Sequence, residues 1–112
     1  MEFSKVKIEV YTPEESLEKL IEKLDEVGAC KVGKYSYVSS YSQVKGTWKP
    51  EDGANPYNGE VNKISRGSEY RLEVRCSYDN VAKAIAAIKK YHPYEEPVIN
   101  IVPLLNDIWH IK

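Results

Sequence analysis

The segment HPYEEP at 92–97 is the part of the chain best equipped for chemistry, because it holds one imidazole and two carboxylates within five residues. An imidazole changes charge near neutral pH and carboxylates supply negative charge, so together they can bind a divalent cation or transfer protons. Under this hypothesis the metal ligands are His92, Glu95 and Glu96. The alternative is structural: two prolines stiffen a helix-to-strand turn and the carboxylates are solvated. We favour the structural role over cation or ligand contact, and ligand contact over catalysis.

A glycine-rich segment at 46–60 is the second candidate. Its glycines permit close approach of the backbone, its amides can donate to an anion, and its aromatic rings offer stacking faces. Together with one tyrosine of the 92–97 segment, the candidate ligand-binding residues are Trp48, Lys49, Asn55, Tyr57, Glu60 and Tyr94. The alternative is an Ω-like loop held by its own aromatic residues or by a neighbouring subunit. The residue types leave both interpretations open.

Several common catalytic and binding motifs are missing from the sequence. It contains neither the GxxxxGK[ST] loop nor the GxGxxG turn that bind phosphate groups of nucleotides. The two histidines, His92 and His110, lie eighteen residues apart and cannot by themselves form the histidine cluster of a two-metal hydrolase. Cys30 and Cys76 have no metal-like spacing and no neighbouring histidine, which favours two free thiols over a disulfide or a catalytic nucleophile.

Composition limits the class of protein and its partners. The chain has 112 residues, about the size of one domain, of which 42% are hydrophobic and 29% charged. Sixteen basic and seventeen acidic residues give a net charge of −1, so no broad attraction to nucleic acid or to an anionic membrane is expected. No stretch reaches the roughly 20 apolar residues of a membrane span, and the first residues carry no apolar signal segment. We expect one cytoplasmic domain over 1–112, without nucleic-acid or membrane partners.

Hydrophobic periodicity predicts four strands and two helices. In chain order they are a strand at 5–11, a helix at 13–27, strands at 34–44 and 69–76, a helix from 79 to about 92, and a strand at 97–105. This βαββαβ order is that of the ferredoxin-like α+β fold, in which both helices cover one face of an antiparallel sheet. The first and third strands are then central neighbours, and their outward residues offer opposite charges for cross-strand pairing.

The helix ends carry local signals. Thr12 as N-cap and Glu15 three positions into the first helix form a capping box, and Gly28 stands where a left-handed C-terminal cap is needed. Asp79 is the expected N-cap of the second helix, and Pro93 ends that helix.

One connection, at about 45–68, is longer than the usual two to six residues. It holds apolar side chains, including Trp48 and Tyr57, that can pin it to a surface, so we expect an ordered and functional loop. Apolar residues that one sheet and two helices cannot cover favour self-association. They are Tyr35, Tyr37 and Tyr41 of the second strand and the apolar residues of the tail at 106–112.

Four motifs together resemble the Nif-three-like (YqfO) proteins, a family also called GTP cyclohydrolase I type 2 homologues. They are VGKYS at 32–36, GTWKP at 46–50, GANPYNGEV at 53–61 and HPYEEP at 92–97. The HPYE segment is also similar to one in the CutA divalent-cation-tolerance proteins. The family pattern reads GEVG where this chain has Asn62 as the fourth residue, so a different conformation is expected there.

The resemblance implies a CutA-like and PII-like ferredoxin fold and a trimer-forming, signalling-type module. It covers essentially the whole chain up to about Leu105 and matches the small domain inserted in the family. The family's dimetal site lies in flanking domains, so the resemblance assigns no catalytic residue to this chain. We therefore expect the inserted domain as a separate protein.

The first functional hypothesis is a non-enzymatic binding or regulatory module, oligomeric, that contacts a small ligand, a divalent cation or a protein partner. The alternative is a metal-dependent enzyme or metal-tolerance protein whose site, at a subunit interface, uses His92, Glu95 and Glu96. A third hypothesis is a purely structural assembly domain. Binding without turnover separates the first from the second.

Overall fold

The computed structural model of the protein describes residues 3–112. Its elements are β1 (Lys5–Thr12), α1 (Glu14–Glu26), β2 (Ser40–Trp48), β3 (Ser65–Ser77), α2 (Val81–Tyr91) and β4 (Ile99–Pro103). The strands form one antiparallel sheet in the order β2-β3-β1-β4. The ferredoxin-like α+β fold is confirmed, with β1 and β3 at the centre. Within the described range, neither helix has the length and apolar character needed to cross a bilayer.

Alternation along the central strands builds the core. In β1 every second residue is buried, beginning with Val6, and β3 buries Leu72, Val74 and Cys76 in the same way. These side chains form one cluster with apolar residues of both helices, such as Leu20 and Ile88. Both helices therefore cover the same sheet face. The opposite face is open.

The first helix begins without the predicted capping box. Thr12 is fully buried and its hydroxyl donates to the Pro13 carbonyl at 3.1 Å, so it does not cap the helix. The carboxylate of Glu15 instead accepts a hydrogen bond from a tyrosine of the long loop. At the other end, Gly28 has a φ of +93°, which confirms the expected left-handed conformation. A Cβ there would lie 2.6 Å from the Asn80 side chain.

The second helix starts later than predicted. Asp79 lies inside a 3-10 turn, Tyr78–Asn80, and α2 follows at Val81 without a side-chain cap. The end was predicted correctly: His92 has extended backbone angles, as expected before a proline.

The second strand lies further along the chain than the predicted 34–44. The backbone N–H of Tyr37 donates to buried Asp25 at 2.9 Å, and that of Val38 donates to the Cys30 carbonyl, so residues before Ser40 are tied to the end of α1. Strand pairing with β3 then continues to Trp48, opposite Ser65. The connection is consequently 49–64, shorter than the expected 45–68.

The open sheet face carries charges, but their pairing differs from the expectation. Antiparallel register puts Lys7 opposite Arg75 and Glu9 opposite Glu73, like charges in both cases. Opposite charges meet in two other ways. The Lys7 ammonium lies 3.7 Å from Glu73, diagonally across the strand pair, and 3.4 Å from Glu9 on its own strand. The sequence predicted the charged face, whereas the register decides the partners.

Candidate functional site

A cleft of about 510 Å³ lies at the end of the sheet where β1 finishes. By register, most of its strand residues belong to the open face, namely Tyr11, Gly46, Trp48 and Glu69. The loop at 49–64 and the turn between α2 and β4 form its walls. Its lining residues are Tyr11, Gly46, Thr47, Trp48, Lys49, Pro50, Glu51, Ala54, Pro56, Tyr57, Asn58, Glu69, Tyr94, Glu95, Glu96 and Val98.

Trp48, predicted to lie in a loop, is the last residue of β2. Its ring packs on Gly67, where an added Cβ would come within 3.3 Å of the ring. The indole N–H donates to the Asn58 carbonyl at 3.0 Å, which ties the loop to the strand. The side chain remains partly open to the cleft, since Trp48 is 38% exposed.

Tyr57 joins the loop to the start of α1. Its hydroxyl donates to the Glu15 carboxylate at 2.6 Å, and this bond lowers the pKa of Glu15 and raises the pKa of Tyr57. The ring centroids of Tyr57 and Tyr94 lie 5.9 Å apart. Two of the predicted ligand-binding tyrosines therefore stand side by side in the cleft.

Tyr94 joins the turn to β3. Its hydroxyl donates to Glu69 at 2.8 Å, and the pKa of Tyr94 is raised, first by burial and then by this carboxylate. Sequence reasoning assigned Glu69 only to the outward face of a strand, and missed it as a site residue. The available signal was its place in β3 beside the long connection, but the register needed to bring it to Tyr94 is not written in the sequence.

Glu95 connects the turn to the loop. Its carboxylate oxygens accept the backbone N–H of Asn55 at 3.0 and 3.2 Å. Asn55 thus supports the wall, although it is not among the lining residues. Glu60 lies away from the cleft in an ion pair with Lys63 at 2.8 Å, whereas Lys49 lines the cleft.

The loop is also held by bonds within itself. The backbone N–H of Asn62 donates to the Pro50 carbonyl and its side-chain amide donates to Asp52, both at 2.7 Å. Asn62 has a φ of +65°, in the left-handed region that glycine favours and asparagine tolerates. Asn62 therefore adopts a backbone conformation that is typical of glycine.

His92 is held by the fold and not directed at the cleft. It is 7% exposed, its Nε2 lies 2.6 Å from the Tyr11 carbonyl and its Nδ1 lies 3.1 Å from the backbone N–H of Tyr94. A carbonyl can only accept and an amide N–H can only donate, so the ring is the neutral tautomer with its proton on Nε2. Burial lowers the pKa of His92, which keeps it neutral.

These contacts do not fit the predicted metal site. Both nitrogens of His92 already have partners, and the carboxylate of Glu95 accepts the Asn55 amide. Glu96 lines the cleft. Within residues 3–112, no three His, Cys, Asp or Glu side chains are grouped so as to hold a metal ion.

No protein-family model matches the chain. Among curated proteins, it is 36% identical over 101 residues to the GTP cyclohydrolase 1 type 2 homolog of Halalkalibacterium halodurans. That match covers 90% of this chain and 27% of the relative. The GTP cyclohydrolase 1 type 2 homolog of Bacillus subtilis is 38% identical over 98 residues. The chain spans about a quarter of the length of the curated relatives it matches.

Solved structures show the same fold. A Bacillus cereus protein related to NIF3 superposes with a TM-score of 0.80 at 29% identity, covering 93% of this chain and 26% of that one. The periplasmic divalent cation tolerance protein CutA of Archaeoglobus fulgidus gives a TM-score of 0.66 at 19% identity, covering 90% and 84%. GlnK of B. subtilis gives 0.63 at 17%, covering 91% and 86%. Over most of its length, the chain is therefore homologous to one segment of the GTP cyclohydrolase 1 type 2 homologues, the Nif-three-like family, and it has the ferredoxin-like fold of CutA and PII-like proteins.

Proposed function

We propose that this protein is a non-enzymatic binding or regulatory module whose cleft takes a small ligand. The observation that carries the proposal is the construction of the cleft. Four parts of the chain meet there: the start of α1, the loop at 49–64, β3 and the turn after α2. Hydrogen bonds from Tyr57 to Glu15, from Tyr94 to Glu69 and from Asn55 to Glu95 fix them. A cavity of about 510 Å³ with aromatic lining and a few fixed polar groups is typical of small-ligand sites.

Binding without catalysis is favoured because the imidazole near the cleft is hydrogen-bonded within the fold. The histidine nearest the site is neutral, buried and bonded through both nitrogens. The curated relatives carry the words GTP cyclohydrolase in their names, but the matched part is about a quarter of their length. The proposal assigns ligand binding to this chain and leaves that reaction to the rest of those proteins.

The proposal includes self-association, with a trimer as the expected assembly, in the cytoplasm. Large apolar side chains are exposed in several places, including the segment around Tyr35 and the tail around Trp109. Cys30 and Cys76 are buried free thiols, and free thiols persist in a reducing compartment.

The test is a screen of the protein by amide chemical-shift mapping. The probes are small aromatic and aliphatic compounds, including amines, carboxylates, phosphates and neutral molecules. We expect some probes to shift the amides of 46–58 and 94–98 and to be recovered chemically unchanged. Shifts confined to other parts of the chain, or no shifts at millimolar probe, would contradict the proposal.

Trp48→Ala tests whether the strand-end tryptophan serves the site or the core. Because Trp48 is 38% exposed, we expect a loss of unfolding free energy of about 1–2 kcal/mol and loss of probe binding. The matched variant is Leu20→Ala, which empties a fully buried position and should cost about 3 kcal/mol. Equal stability losses in urea titrations would assign Trp48 to the core.

A further inference from the structure

We propose that the ligand of the cleft is a small organic cation with a flat, apolar body, such as an aromatic amine. This inference rests on the proposed function and adds the chemical class of the ligand. Three properties of the cleft carry it: the charge of its lining, the way its aromatic rings are held, and the use of its backbone amides.

The charge of the lining is strongly negative. The cleft is lined by four glutamates, Glu51, Glu69, Glu95 and Glu96, and by one lysine, Lys49. A smaller cavity of about 200 Å³ shares Trp48, Glu69 and Tyr94 with the cleft and adds Glu14 and Glu15. The whole chain has a net charge of only −1, so negative charge is concentrated at this end of the sheet. A concave surface of one sign raises the local concentration of the opposite ion.

The aromatic rings are held through their polar atoms. The Trp48 indole N–H is bonded to Asn58, the Tyr57 hydroxyl to Glu15 and the Tyr94 hydroxyl to Glu69. With these atoms already bonded inside the chain, the rings offer mainly their π faces and edges to a ligand. An aromatic face attracts a cation as well as a flat apolar group.

Two backbone amides of the glycine-rich loop are already bonded within the chain. The glycine-rich loop was expected to offer backbone amides to an anion, but the N–H of Asn55 donates to Glu95 and that of Ala54 donates to the Glu51 carbonyl. Lys49 is the only cationic side chain among the residues that line the described cleft. A phosphate or carboxylate ligand would therefore face four carboxylates and one ammonium group.

Three compounds with one ring system test the charge preference: tryptamine is a cation, 3-methylindole is neutral and indole-3-acetate is an anion. Each is titrated into the full chain, with amide shifts recording affinity and location. We expect tryptamine to bind at the cleft about tenfold more tightly than indole-3-acetate, with 3-methylindole between them. The advantage of tryptamine should shrink as salt is raised from about 20 mM to about 0.5 M, because ions screen exposed charges.

Two variants separate the cleft from the general charge of the protein. Glu96→Gln removes one lining carboxylate, and we expect it to weaken tryptamine binding about threefold without changing that of 3-methylindole. The matched control is Asp79→Asn, which removes an exposed carboxylate near the opposite end of β1, where the N–H of Tyr78 donates to Ser4. This control should leave both affinities unchanged.

The possible outcomes test the cationic ligand separately from the proposed binding function. Binding of 3-methylindole or indole-3-acetate at the cleft as tight as that of tryptamine would overturn the cationic ligand and leave a binding module. Equal effects of Glu96→Gln and Asp79→Asn would also overturn it, since the preference would then come from net charge. If none of the three compounds nor any probe of the wider screen reaches the cleft, the proposed function fails with it.

Discussion

At the scale of single residues, His92 shows how a reactive side chain can serve the fold. It stands in the segment with the strongest chemical character, yet its Nε2 bonds to the end of β1 and its Nδ1 accepts the backbone N–H of Tyr94. The imidazole thereby fixes the turn that carries Tyr94 and Glu95 into the cleft. Its two nitrogens position the site without entering it.

The buried imidazole predicts a pH dependence of stability. Burial lowers the folded-state pKa of His92 below its ordinary 6.5, so the unfolded chain binds the proton more readily. The stabilisation is fully present above pH 6.5 and is lost as pH falls through the folded-state pKa. We expect the melting temperature to fall between pH 7 and about pH 5. His92→Gln should flatten this slope.

Calorimetry at several pH values measures the effect, with His110→Gln as the control because His110 is exposed in the tail. A wild-type melting temperature that stays constant over this range would contradict the assignment. So would a slope that His110→Gln removes and His92→Gln leaves in place.

At the scale of elements, the hairpin of β2 and β3 carries the site. A glycine in its loop allows the loop to pack against the end of β2. Gly59 has a φ of +99°, and an added Cβ would lie 2.6 Å from the Ser65 hydroxyl and 3.0 Å from the Trp48 indole nitrogen. The loop can therefore approach the end of β2 only because residue 59 has no side chain.

Gly59→Ala should detach the loop from Trp48. We expect a stability loss of about 2–4 kcal/mol, from the left-handed φ and from the close contact together. The indole N–H resonance of Trp48 should shift as its bond to Asn58 is disturbed. Chemical denaturation and proton NMR measure the two effects.

Gly53→Ala is the matched control, since Gly53 has a φ of +92° but no heavy atom within 4 Å of an added Cβ. It should cost about 1–2 kcal/mol through backbone strain alone and leave the Trp48 resonance in place. Identical behaviour of the two variants would mean that the contact with Trp48 does not hold the loop.

Elements were more predictable from the sequence than the contacts between them. Strict alternation of apolar residues marked β1 and β3, because burial on one face of a strand leaves a period of two. The boundaries of β2 were wrong, since tyrosine and serine suit a strand, a turn or a surface equally, and the bonds to Asp25 and Cys30 decide where the strand starts. Likewise, Trp48 and Tyr94 were recognisable as site candidates, but Glu69 depends on pairing register.

At the scale of the whole molecule, exposed apolar side chains predict self-association. Tyr35 is 74% exposed between α1 and β2, and the tail after β4 exposes Ile108, Trp109 and Ile111. Burying such surface between copies is the expected outcome, because a monomer rarely leaves large apolar patches in water.

Light scattering at micromolar concentration should give a mass of three times the 12.8 kDa of the chain. Trp109→Ser and Tyr35→Ser are measured separately. A substitution within the contact between copies should lower the measured mass, whereas a substitution outside it should not. A monomer mass for the unaltered protein would exclude the assembly.

The sheet order also predicts an order of folding steps. Pairing β2 with β3 closes only residues 49–64, whereas pairing β1 with β4 brings Val6 to Pro103. If β4 docked first, closing a loop of that length would cost about 4 kcal/mol of chain entropy. The hairpin of β2 and β3, which builds the cleft, is therefore expected to form early. We expect β4 to dock later, after β1 has paired with β3. Nearly complete folding is then needed to bring Tyr94 to Glu69, and intermediates lacking β4 would hold the loop without a finished cleft.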